Sequence, residues 1–161
     1  MRLEIAEPVD LEAVTALINS AFRVERFFID TDRIHIDAVR ELRRKGQFIL
    51  VRDKDGLAGC VYVECKGERA YIGLLSVDPG RQRSGIVSRL MHAAEDHGRN
   101  SGCRFADLRI VNIRAELPAF YHRLGYRETG TAPFTPGIAT KLPCHFVEMT
   151  KALDRASEAA G

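Results

Sequence analysis

Leu74-Leu75-Ser76-Val77-Asp78-Pro79-Gly80-Arg81-Gln82-Arg83-Ser84-Gly85-Ile86-Val87-Ser88-Arg89-Leu90 is the stretch on which the reading of this chain turns. The run from Ala70 to Val77 is almost continuously apolar, as a central strand covered on both faces must be. It ends in a turn rich in Arg and Gly. The helix that follows carries Ile86, Leu90, Met91 and Ala94 on one side. A strand feeding straight into a helix start leaves several backbone N–H groups without intrahelical acceptors, and Arg81 and Arg83 stand beside them. Such a place binds phosphate-type anions, so a phosphorylated ligand is expected.

Outward from this unit, upstream, Leu3-Glu4-Ile5 alternates like a short strand. Pro8 breaks it, and Asp10 is placed to cap a helix with Leu11, Val14, Leu17, Ile18 and Ala21 inward. Phe22 to Phe28 is aromatic and charged without clear period. A second helix is expected from about Ile34 to Lys45, with Val39 and Leu42 inward and Gly46 as its stop. Phe48–Val51 and Leu57–Cys65 read as a hairpin around Asp53-Lys54-Asp55-Gly56. Downstream, Phe105–Val111 reads as a strand. Glu116–Leu124 reads as a short helix beginning near Pro118, and Tyr126–Thr129 and His145–Met149 as further strands. Helices after Ala70–Val77 and Phe105–Val111 predict a parallel element inside a mixed α/β sheet. One domain over residues 1–150 and a polar tail over 151–161 are expected.

The composition sets bounds. With 161 residues, 45% of them hydrophobic and 29% charged, the chain has the makeup of an ordinary globular domain. A net charge of +2 is too small to argue for nucleic acid or a membrane surface as partner. Cys60, Cys65, Cys103 and Cys144 form no Cys-x-x-Cys pair and no histidine stands at finger spacing, so no metal is expected. Reduced thiols, with no apolar run resembling a signal peptide or a membrane span, give a cytoplasmic expectation.

The chain resembles the GNAT superfamily of acetyl-CoA-dependent N-acyltransferases. The family signature, Gln/Arg-x-x-Gly-x-Gly/Ala at a helix start, reads here Gln82-Arg83-Ser84-Gly85-Ile86-Val87. Val77-Asp78-Pro79 precedes it, and Phe120-Tyr121-His122-Arg123-Leu124-Gly125-Tyr126 follows in the expected order. The resemblance implies a mostly antiparallel sheet of about seven strands, with a parallel pair at the cofactor cleft and about four helices. It implies acetyl-CoA as acyl donor, its pyrophosphate held by main-chain amides from Arg83 through Ser88. Gln82, Arg83, Ser84, Gly85, Ile86, Val87 and Ser88 are therefore candidate cofactor residues. Val87 departs from the signature by placing a branched side chain where Gly or Ala is usual. The resemblance also implies a bulge in the fourth strand at Leu75, Ser76 and Val77, with the Val77 N–H facing the thioester carbonyl.

In this family the tyrosine matching Tyr121 assists the leaving thiolate; on spacing alone it reads as a core tyrosine. The position of a frequent cofactor-binding Asn is here Arg114, with Asn112 nearby. The fourth strand offers no carboxylate as general base, which leaves Glu25 and His145 as candidates. Glu25, between Arg23 and Arg26, reads equally as a solvated surface acid, and His145 as a structural strand histidine. Arg33 is a candidate for an acceptor carboxylate or a helix-start surface residue. The expected reaction is acetyl transfer to a primary amine, preferably a small molecule. Peptide or protein acetylation, a non-catalytic acyl-CoA sensor and a different nucleotide-binding fold stand as alternatives. A homodimer is left open.

Overall fold

The computed structural model describes residues 1–81 and 85–154. Strict alternation in two hairpin strands explains its layers. β2 (Gln47–Asp53) turns Phe48 and Leu50 to one face and Ile49 and Val51 to the other, and all four are buried. β3 (Gly56–Lys66) repeats this with Cys60 and Tyr62 against Val61 and Val63. A strand apolar on both sides needs cover on both. α1 (Leu11–Ala21) and α2 (Ile36–Lys45) cover the first face through Val14, Leu17, Ile18 and Val39. α3 (Ile86–Asn100) covers the second through Ile86, Leu90, Met91 and Ala94.

The sheet has seven strands in the order β1-β2-β3-β4-β5-β7-β6, adding β1 (Arg2–Ile5), β4 (Arg69–Val77), β5 (Phe105–Val111), β6 (Arg127–Pro133) and β7 (His145–Ala152). Only β4 and β5 run parallel. α4 (Leu117–Arg123) lies between β5 and β6, with Pro118 in its first turn as expected. This is the mixed α/β architecture predicted from the sequence.

Local details correct several expectations. Asp10 makes no capping bond into α1. Its carboxylate accepts from Glu7 N–H at 2.8 Å and from Arg52 at 2.6 Å, tying the helix entrance to β2. Gly46 ends α2 in an extended conformation, not a left-handed one. A Cβ there would lie 2.5 Å from Val63 O and 2.7 Å from the Tyr62 hydroxyl, so glycine is required by the close approach of β3. The unpatterned Phe22–Phe27 forms a 3-10 helix. β7 runs past the expected end of the domain, since Lys151 pairs with Ala106 and Ala152 with Phe105. Leu153 is buried and donates its N–H to Arg104 O at 2.8 Å. Residues 155–161 of the expected tail lie outside the described residues.

Two contacts seat α3. At Gly59 a Cβ would stand 2.8 Å from Ile86 Cγ2 and 3.0 Å from Leu90 Cδ1, so the helix start rests directly on the β3 backbone. On the same helix, the buried Glu95 carboxylate accepts from the Tyr126 hydroxyl at 2.8 Å and from Lys151 Nζ at 2.9 Å.

Candidate active site

The site begins where the parallel pair fails. β4 and β5 are in register only at Arg69↔Phe105, Ala70↔Ala106 and Tyr71↔Asp107. Beyond these rows no ladder joins them, while β5 stays paired to β7 along its whole length. The sheet therefore opens between Ile72–Val77 and Leu108–Val111. A cavity of about 730 Å³ occupies the opening, and its lining comes from both faces of the sheet.

β4 is built to serve that opening. Cys60 pairs with Ser76 and Tyr62 with Gly73, so two residues, Leu74 and Leu75, oppose the single Val61. This is a bulge, and Leu74 takes φ 53°, the only described non-glycine residue with positive φ. The extra residue reverses the strand's phase. Ala70 and Ile72 face α3 before it, and Leu75 and Val77 face α3 after it. Ser76, now on the α1 side, is buried and donates its hydroxyl to Leu74 O at 2.9 Å. Asp78 N–H donates to Ala58 O at 2.8 Å across the Gly59↔Val77 pair. Val77 is thus a non-hydrogen-bonded position of the ladder, and its own N–H and C=O turn away from β3 into the opening. The bulge expected at Leu75–Val77 lies one residue earlier, with Leu74 as its strained member.

On the α3 side, Gly85 stands at φ 76°, a left-handed value that favours glycine, and α3 starts at Ile86. Among the described residues a Cβ there would meet nothing within 4 Å, so its conformation and not their packing favours glycine. Arg89 N–H donates to Gly85 O at 3.2 Å, so the amides of Ile86, Val87 and Ser88 belong to the first turn and have no intrahelical acceptor. Val87 packs against the core and lines the cavity, as do Leu75, Val77 and Leu117, an apolar wall beside a polar helix start. These residues fit a ligand with an apolar arm and an anionic end. Arg81, expected near the anion, is instead held by Asp53 at 3.0 Å, Asp78 at 2.9 Å and Leu57 O at 2.9 Å. Gln82, Arg83 and Ser84 lie outside the described residues.

α4 presents Tyr121 to the same cavity. Its ring stacks edge-on against Tyr126 at 6.0 Å and Phe120 at 4.9 Å. Its hydroxyl has no hydrogen-bond partner among the described residues. Burial pushes the phenol pKa up to about 12, against a lowering by the Arg114 charge.

On the α1 side, the 3-10 helix Phe22–Phe27 brings in Glu25, which is 6% exposed and so not the surface acid its neighbours suggest. Burial raises its pKa, opposed by the guanidinium groups of Arg114 and Arg33. Arg114 reaches Glu25 at 3.3 Å and Glu116 at 2.9 Å. The residue at the family's Asn position therefore engages the candidate base. Asn112 accepts from His145 N–H at 2.8 Å and joins β5 to β7. His145 itself is exposed and lines no part of the cavity. Its neighbour Phe146 points inward, and strand alternation turns His145 to the other face. Glu25, Leu75, Val77, Val87, Arg114 and Tyr121 are thus brought together, and His145 is not.

Tyr71 and Arg109 were not anticipated, although both line this cavity. They come from β4 and β5 where the strands begin to part, which no local pattern reveals. No group of side chains suited to a metal ion occurs among the described residues.

The parted parallel pair, the helix that starts at Ile86 and Tyr121 at the gap are the elements that the resemblance led one to expect here. Residues 44–128 match the acetyltransferase (GNAT) domain model, and the chain belongs to that family. A blasticidin-S acetyltransferase from Streptomyces morookaense is 33% identical over 92 residues, which are 56% of this chain and 66% of that protein. A mycothiol acetyltransferase from Clavibacter michiganensis is 35% identical over 81 residues, 50% of this chain and 26% of that protein. The chain thus matches less than two thirds of either relative. An aminoglycoside 6'-N-acetyltransferase complexed with coenzyme A shares the fold, with a TM-score of 0.74 at 17% identity, covering 94% of this chain and 97% of that one. No described helix is long and apolar enough to cross a membrane.

Proposed function

We propose that this single domain transfers an acetyl group from acetyl-CoA to the primary amine of a small molecule, by direct attack within the opening between β4 and β5. The observation that carries the proposal is the parted parallel pair, with the Val77 amide turned into the gap and the Tyr121 hydroxyl, which has no hydrogen-bond partner among the described residues, lining it. When bound, acetyl-CoA supplies an activated acyl group as its thioester.

The amides of Ile86, Val87 and Ser88 hold the diphosphate, backed by the dipole of a 15-residue helix. The apolar wall of Leu75, Val77 and Val87 holds the pantetheine arm. Val77 N–H donates to the thioester carbonyl as charge develops on its oxygen. Glu25, its pKa raised, takes the proton of the acceptor ammonium, directly or through water. Tyr121 donates a hydrogen bond to the departing sulfur. Arg114 holds Glu25 in place from the other side of the opening. The small-molecule preference is supported by the blasticidin-S acetyltransferase relative, whose name specifies such an acceptor.

The test is release of free coenzyme A from acetyl-CoA, followed by chromatography, against a panel of small amines and of peptides. Release that depends on a small amine is the expected result. Release with peptides alone overturns the small-molecule assignment. Tight coenzyme A binding with no amine-dependent release indicates a sensor.

A further inference from the structure

We propose that the acceptor carries an anionic oxygen group, carboxylate or phosphate, and that Arg33 receives it at the α1 side of the cavity. This rests on the acetyl-transfer reading above and names the substrate class of that same site.

Arg33 is half-buried and lines the cavity. Its guanidinium lies over the Phe22 ring, 5.3 Å from the centroid. Stacking of this kind fixes the plane of the group without neutralising it, and leaves its N–H edge free to bond. No carboxylate of the described residues comes within ion-pair distance of it, although acids are close in the chain. Those acids are already engaged. Asp32 is held by Arg26 at 2.9 Å. Asp30 is held by Lys141 at 2.8 Å, and its carbonyl accepts from Arg26. Glu25 is held by Arg114.

The backbone beside Arg33 is also fixed. Asn19 of α1 accepts from Ile34 N–H and donates to Ile34 O, both at 2.9 Å. Arg33 is therefore a pre-positioned cation that faces a cavity and has neither an ion-pair nor a hydrogen-bond partner among the described residues. A side chain left half-desolvated in this way gains most from a ligand that brings the missing anion.

The coenzyme does not meet that need. Its anion site is the start of α3, on the other face of the sheet from α1 and α2. Arg33 stands on the segment joining α1 to α2, near Glu25, whose charge it influences. An amine lodged against Glu25 would thus extend its anionic end toward Arg33.

The test uses ω-amino carboxylates of three to eight carbons, the matching ω-aminoalkyl phosphates, and the neutral amides of the carboxylates. Binding is measured by calorimetry with coenzyme A present, and acetyl transfer by coenzyme A release. At least one anionic member should bind about tenfold or more tighter than its neutral counterpart, the range of a charge-assisted bond. Arg33→Gln should abolish that difference and Arg33→Lys should restore part of it, with coenzyme A affinity as the check that the fold is intact. The carboxylate and phosphate arms separate the two sources of the anion. A preference that survives Arg33→Gln, or no charge preference in any set, overturns the inference. Transfer without charge preference leaves the acetyltransferase reading standing and removes this one. Arg33-dependent binding with no transfer supports this one and removes the other.

Discussion

Replacing Tyr121 with Phe separates two roles that a tyrosine at this position can have. A thiol has a pKa of about 8.5, and burial raises the Tyr121 phenol to about 12. Complete proton transfer to the departing thiolate is then uphill by about 3.5 units, or roughly 5 kcal/mol. Tyr121 therefore stays protonated and acts by donating a hydrogen bond to developing charge. Such a bond contributes about 1.5–3 kcal/mol, so Tyr121→Phe should lower kcat about ten- to hundredfold. The ring remains, and with it the edge contacts to Phe120 and Tyr126. The hydroxyl has no partner to lose among the described residues, so Tm should move by no more than about 2 °C. Coenzyme A affinity should be nearly unchanged. The assay is steady-state release of coenzyme A at saturating acetyl-CoA, with calorimetry for binding and a thermal melt for stability. A kcat within twofold of the parent would refute the reasoning. So would a loss expressed wholly in the KM for acetyl-CoA.

Glu25→Gln should lower kcat/KM about 10²- to 10⁴-fold, the usual range for a positioned base. In the parent, kcat/KM should rise with pH through a value above the ordinary 4.5 of a glutamate, and the variant should lack that limb. The same shift affects stability. The folded state favours protonated Glu25, so its contribution is greatest below 4.5 and is lost as pH rises through the elevated folded value. At neutral pH the variant should therefore melt at or above the parent temperature, as a pH series of melts will show. Gly59→Ala should cost about 1–3 kcal/mol, measured by urea unfolding, because the new methyl meets Ile86 and Leu90. It should also weaken coenzyme A binding by displacing the first turn of α3. Glu95→Ala should cost about 3–5 kcal/mol, since it strands the Lys151 ammonium and the Tyr126 hydroxyl under the helix.

The architecture was legible where one physical signal dominates. The apolar runs Phe48–Val51 and Leu57–Cys65 on either side of Asp53-Lys54-Asp55-Gly56, and the apolar stripe of α3, each predict the element that forms. The site was legible only in part. A bulge hides inside Ala70–Val77 because an uninterrupted apolar run looks the same with one residue more or less. Glu25 reads as exposed beside Arg23 and Arg26, whereas the cation that compensates it is Arg114, 89 residues away. His145 has the chemistry of a base and stands at a strand start. The parity of β7, fixed by Val111↔Phe146, directs it elsewhere. Gly46 suggested a helix stop, but its requirement comes from Tyr62 and Val63 of another element.

The additional residue in β4 has a consequence for how this chain tolerates change. Shortening the strand by one at Leu74 would mend its ladder with β3 and look harmless on a hydropathy plot. Ser76 would still oppose Cys60 and Val77 would still oppose Gly59, so neither side chain would change face. What would go is the detour: with Leu75 set directly against Val61, β4 would straighten, and the bend that carries Ile72–Val77 away from Leu108–Val111 would be lost. A protein with that deletion could keep its architecture and lose its chemistry, so the count of residues between Tyr71 and Asp78 is as much a part of the site as any side chain in it.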